Sequence, residues 1–110
     1  MKLISALVRQ QTVEAVKLAL RNLNIESITI VPAQDHQLDH SPTMVWRSNA
    51  YRQGFTLRME VRVVVIDEEV DAAVDAVMAA ARTGMHGDGY ICVLPVDHRY
   101  DISSGLRGAS

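Results

Sequence analysis

From Phe55 to Val65 the chain reads FTLRMEVRVVV, in which Phe55, Leu57, Met59, Val61, Val63 and Val65 alternate with Thr56, Arg58, Glu60 and Arg62. Successive side chains of a strand point to opposite sides, so a strict period of two predicts a long strand with one buried face. Such a strand needs partners, and three other segments supply them. Lys2–Arg9, KLISALVR, is a short apolar run that breaks at the polar pair Gln10 and Gln11. Ile25–Ala33, IESITIVPA, is β-branched and ends near Pro32, while Tyr90–Val96, YICVLPV, is apolar nearly throughout, with Pro95 placing its end at an edge or bulge.

Two stretches between these runs change period. In TVEAVKLALRNLN, Thr12 offers an N-cap, Val13, Val16, Leu20 and Leu23 recur at helical spacing, and Glu14 and Arg21 suit the helix dipole. Asp67 offers a cap to a second helix with Glu68 and Glu69 in its first turn, an apolar face of Val70, Val74, Val77, Met78 and Ala81, and a stop at Gly84. The order β-α-β-β-α-β predicts an α+β, ferredoxin-like sandwich: an antiparallel sheet with two helices on one face. The other face would be bare. Because the odd-numbered residues of the third strand look too apolar for water, further copies are expected to cover it, giving a homo-oligomer.

A chain of 110 residues is the size of one domain, 1–110, here with a long flexible loop at about 34–54 and a polar tail at about 97–110. Its formal net charge of -2 gives no electrostatic reason for nucleic acid binding. No run of about eighteen apolar residues occurs, so no membrane insertion and a cytoplasmic location are expected. Cys92 is the single cysteine, and its neighbours Ile91 and Val93 suggest a buried thiol.

Between the second helix and last strand lies TGMHGDGYI, Thr83 to Ile91, with Gly84, Gly87 and Gly89. Locally this is a turn first, since each glycine permits backbone angles that other residues avoid. The functional alternative is that successive N–H groups, free of side-chain bulk, turn inward to hold phosphate oxygens. TGMHGDGYI resembles the phosphate-loop motif of the PII signalling superfamily, T-G-K-x-G-D-G-K-I. KLISALVR, NIESITI and LRMEVRVVVIDEEVDAAVDAVMAAARTG resemble that family's first strand, its G-I-x-G-M-T-V segment, and its third strand and second helix. The tail YDISSGLRG resembles the ending Y-R-I-R-T-G-E-x-G.

The resemblance implies a homotrimer with adenine nucleotide sites in the clefts between subunits, lined by this loop, the base of the long loop and a neighbour's tail. It implies a regulatory, non-enzymatic protein acting on a partner, a transporter or an enzyme, through the long loop. Thr83, Gly84, Gly87, Asp88 and Gly89 match the phosphate loop, His86 lies within it, and Thr29 and Val64 fall on strand positions that flank the adenine. Met85 and Tyr90 stand where the family has lysines, and Asp101 and Ser103 replace two tail arginines. Each charge-assisted bond contributes roughly 1.5–3 kcal/mol, so the missing cations favour AMP or ADP over ATP, with Arg99, Arg107 and Tyr90 as partial substitutes. Relatives encoded with carboxysome and bicarbonate-transport systems resemble this departure, which suggests inorganic-carbon metabolism beside nitrogen metabolism, and bicarbonate as a further ligand. Substituting Gly87 or Gly89 is expected to abolish nucleotide binding without unfolding the trimer.

In the long loop, Trp46, Arg47, Tyr51 and Arg52 are residue types enriched at interface anchors. Tyr51 falls where relatives carry a modifiable tyrosine, but the glycine and acidic context is absent, as is the glutamine that helps bind 2-oxoglutarate. Uridylylation and 2-oxoglutarate sensing are not expected. His36 and His40, with Asp35 and Asp39, have a spacing that on a helix could clamp a divalent metal, and a solvated polar loop is the alternative. The rival readings are therefore a trimeric metal-tolerance protein and a structural trimer with a decayed nucleotide cleft. An enzyme is disfavoured, because the carboxylates mostly occupy helix first turns where capping explains them.

Overall fold

The structure, a computed structural model of the 110-residue chain, describes residues 1–38 and 55–108. The elements are β1 (Lys2–Arg9), α1 (Val13–Arg21), β2 (Thr29–His36), β3 (Phe55–Val65), α2 (Val70–Ala81) and β4 (Gly89–Pro95), with 3-10 turns at Gln10–Thr12 and Asp67–Glu69 leading into the helices. The strands form one antiparallel sheet in the order β2-β3-β1-β4. This is the ferredoxin-like α+β fold. β1 and β3 occupy the centre, so both outer strands are edges.

The core lies between the sheet and the two helices. Ile4, Ala6 and Val8 of β1 and Val61, Val63 and Val65 of β3 are buried with Val16 and Leu20 of α1 and Ala73 and Val77 of α2. The odd-numbered residues at the end of β3 thus find their cover within the chain, which corrects the expectation that they drive copies together. Register pairs put the even-numbered residues on the bare face instead, Arg58 beside Arg9, Glu60 beside Leu7, and Arg62 beside Ser5. That face is polar at its centre: Arg62 donates to Glu60 through Nε at 3.0 Å and Nη2 at 3.1 Å, and the Ser5 hydroxyl donates to Glu60 at 2.7 Å. The Arg62 and Ser5 bonds hold the Glu60 carboxyl below its ordinary range. Exposed apolar surface is found along β4, at Tyr90 and Leu94.

Three local expectations shift. β2 begins at Thr29 rather than Ile25, because Asn24 turns the chain with φ 65° and Ile25 and Ile28 pack on the core from an irregular lead-in. Pro32 sits inside β2, opposite Met59, where an edge strand has no need of its amide. Neither predicted cap forms: the Thr12 hydroxyl donates to the Arg9 carbonyl at 2.9 Å, and the Asp67 carboxylate accepts from the N-terminal ammonium at 2.6 Å. On α2, Ala73 is buried while Met78 is exposed. Cys92 is exposed rather than buried, since pairing with Ser5 places it on the face without helices. Among the described residues no helix is long and apolar enough to cross a membrane.

Candidate functional site

The glycine loop leaves α2 at Ala81 and enters β4 at Gly89, where the sheet dictates its position. A Cβ on Gly89, whose φ is +120°, would lie 1.8 Å from the Leu7 carbonyl oxygen. Gly89 is therefore required by the close approach of β1 and β4, and replacing it would disturb the sheet itself. This corrects the expectation that its substitution leaves folding intact. Gly87, at φ +81°, differs: a Cβ there would meet only the ends of two flexible side chains, Arg58 Nη2 at 3.7 Å and Arg9 Nη2 at 3.9 Å.

Asp88 holds the loop in shape. Its carboxylate accepts the Thr83 amide at 2.8 Å, the Thr83 hydroxyl, and Arg9 Nε at 2.9 Å. The Thr83 hydroxyl in turn accepts the Met85 amide at 3.1 Å, and Arg9 Nη2 donates to the His86 carbonyl at 2.8 Å. The two Thr83 bonds, aided by Arg9, keep the Asp88 carboxyl far below the usual carboxylate range. Asp88 thus faces inward as the staple of its own loop, and Gly84, Gly87 and Gly89 take the positive φ values that shape the turn around it.

Sequence reasoning missed Arg9 and Arg58. They are register partners on β1 and β3, and the Arg58 side chain is only 10% exposed, with Nε 3.8 Å from Asp35 Oδ2. That Nε has no hydrogen-bond partner among the described residues. Alternation alone would have put Arg58 on the polar face. The register agrees, and it is the folded chain that brings the Arg58 Nη2 to 3.7 Å from the Gly87 Cβ position.

The remaining expected residues are not gathered in one chain. Met85, His86 and Tyr90 belong to the loop or its exit and are exposed. Val64 lies roughly 20 Å further along β3 than Arg58, and Thr29, opposite Arg62, roughly 13 Å along, at about 3.3 Å per residue. The tail begins at the end of β4 remote from the loop. There Tyr100 and Arg107 form a bridge, Asp101 accepts from the Ser104 amide and Ser103 hydroxyl, and Arg107 Nη1 donates to His98 Nδ1 at 3.1 Å. Arg99 and Arg107 are exposed there, well away from the same chain's loop. A hollow of about 230 Å³ adjoins the loop, lined by Leu7, Met78, Arg82, Asp88 and Tyr90. Pockets for drug-sized ligands span roughly 300–1,000 Å³, so this hollow holds part of a nucleotide at most. The larger hollow, about 860 Å³ between α1 and the lead-in to β2, contains no loop residue and lies apart from this chemistry.

His36 ends β2 as a strand residue, its Nε2 3.1 Å from Gln34 Oε1 and its ring 5.1 Å from Phe55, so the helical clamp with His40 is not formed at His36. Among the described residues no group of three or more His, Cys, Asp or Glu gathers to hold a metal. His40, Trp46, Arg47, Tyr51 and Arg52 lie outside the described residues.

Fold and loop together define a small ferredoxin-like protein with a glycine-rich turn at a sheet edge. The family model described as "Nitrogen regulatory protein P-II" matches residues 1–105, and the chain belongs to that family. Its regulatory class follows from membership. The chain is 35% identical over 107 residues to the nitrogen regulatory protein P-II of Nostoc punctiforme, covering 97% of this chain and 96% of the relative. It is 33% identical over 108 residues to that of Azospirillum brasilense, covering 98% and 96%. Among solved structures it is similar to Arabidopsis thaliana PII bound to citrate, with a TM-score of 0.80, 25% identity, and coverage of 98% of this chain and 85% of that one.

Proposed function

We propose that this P-II family protein senses an adenine nucleotide, AMP or ADP in preference to ATP, at glycine loops set in the clefts of a homotrimer. The observation that carries the reading is the loop already folded around Asp88, with Thr83 and Arg9 holding it and Gly87 exposed at its tip. Little ordering remains to be done by a ligand. The partial hollow beside the loop, and the separation of loop from tail within one chain, both favour a site completed by a second copy. The similar Arabidopsis protein is described as bound to citrate, an anion, which suits an oxyanion-receiving loop.

The state of this site would reach a transporter or an enzyme through the connection between β2 and β3, in inorganic-carbon or nitrogen metabolism. The preference for fewer phosphates rests on Tyr90 and Met85, which offer no charge where the motif would carry lysine. Calorimetric titration with AMP, ADP, ATP and cyclic AMP, with and without magnesium and bicarbonate, tests the reading. ADP or AMP binding more tightly than ATP is the expected result. Silence across the panel would reject it, and ATP binding tightest would reject the preference.

A further inference from the structure

We infer that the knot of Ser5, Glu60 and Arg62 on the bare sheet face decides which chains this protein assembles with: it admits further copies of this chain and refuses chains of the same fold whose charges there differ. The inference rests on the oligomer in the reading above and names what selects its members.

The register lays out that face row by row. Leu3, Ser5 and Leu7 of β1 stand between Val64, Arg62 and Glu60 of β3 and Leu94, Cys92 and Tyr90 of β4, so apolar side chains flank one compact polar group. Tyr90, Cys92 and Leu94 are exposed in the single chain, and contiguous apolar surface of this kind marks a contact with another protein. Charges are normally depleted at the centre of such contacts, because burying them without partners is costly. Arg62 and Glu60 are both partly exposed here, and their hydrogen bonds show which partner fits. Of the five N–H groups of a guanidinium, Arg62 spends two on Glu60, so three remain without an acceptor among the described residues. The Glu60 carboxylate accepts those two and the Ser5 hydroxyl, which leaves it about one lone-pair site, and the Ser5 oxygen keeps about two. Spare donors and spare acceptors thus match in number, and the two charges cancel. A surface balanced in this way is complementary to itself: what Arg62 of one copy has left to give, Glu60 and Ser5 of the next can take. A covering chain with a different charge there would bury a donor or a carboxylate unpaired, and such penalties set partner choice as much as attraction does.

The test uses the full chain in native mass spectrometry, with two variants that each remove one sign. Glu60→Gln leaves Arg62 its charge, Arg62→Gln leaves Glu60 its charge, and each alone should assemble about tenfold more weakly than the unaltered protein. Co-expressed in equal amounts, the two should give a ratio of mixed to unmixed assemblies about tenfold above the statistical value, because each supplies the charge that the other lacks. Glu14→Gln and Lys17→Gln, which divide an ion pair of the same signs on α1, should mix statistically. Statistical mixing of the Glu60 and Arg62 variants, or an equal excess from the α1 variants, would overturn the selecting role and leave the oligomer standing. An unaltered protein found only as single copies would overturn both.

Discussion

Gly89→Ala should be among the most damaging single-methyl additions in this protein, and Gly87→Ala, two residues away, much milder. At Gly89 the new Cβ would stand 1.8 Å from the Leu7 carbonyl oxygen, where carbon atoms ordinarily settle at about 3.5–4 Å. Relief requires β4 to move from β1 by about 1.5 Å or more, which breaks the first ladder bonds around Val8 and Leu7. Two such bonds contribute roughly 2 kcal/mol, and a non-glycine residue forced to positive φ adds roughly 1–3 kcal/mol, for a total of about 3–5 kcal/mol. In a domain of this size that lowers Tm by roughly 15–30 °C. At Gly87 the backbone term stands nearly alone, at about 1–2 kcal/mol, because the nearest atoms are the ends of two arginines that can step aside. Thermal unfolding followed by circular dichroism, at matched chain concentration, measures both. Equal losses at the two sites, or a Gly89→Ala loss below about 1 kcal/mol, would refute the steric reasoning.

Three further outcomes follow from burial and bonding. Leu20→Ala, at a side chain 1% exposed, should lose about 3 kcal/mol in denaturant unfolding, whereas Leu18→Ala, at 50% exposed, should lose less than about 1 kcal/mol. The Asp88 carboxyl is depressed, so what it contributes to the loop is present above the ordinary carboxylate range and is lost only as pH falls through its lowered value. Its carboxyl carbon should therefore show no titration step in NMR between about pH 6 and 3, and Thr83→Val should bring the step back into that interval. Cys92 is exposed on the bare sheet face of a single chain, so alkylation tests whether copies cover that face. The folded protein should react far more slowly than the unfolded chain, and equal rates would leave the face open.

What the sequence disclosed was whatever depends on near neighbours. The alternation of Phe55–Val65 fixed β3 to the residue, and the break at Gln10 and Gln11 fixed the end of β1. Misreadings came where distant parts of the chain decide. An apolar run such as YICVLPV hides its own alternation, and only pairing with β1 shows that Cys92 shares a face with Ser5. Pro32 reads as a terminator until β2 is known to be an edge. The glycine loop was legible because its chemistry is contiguous in the chain. Arg9 and Arg58 were not, since a cross-strand pair exists only once the register does.

The contact between Gly89 and Leu7 also governs how the loop can move. Its exit is fused to the first row of the sheet, while near its entrance Gly84, at φ +85°, has nothing within 4 Å of the Cβ position. A segment clamped at one end pivots about that end and moves most at the other. Displacement on ligand arrival would accordingly run back through Arg82 into α2, leaving the strands at rest, so the helix rather than the sheet is the moving part to watch.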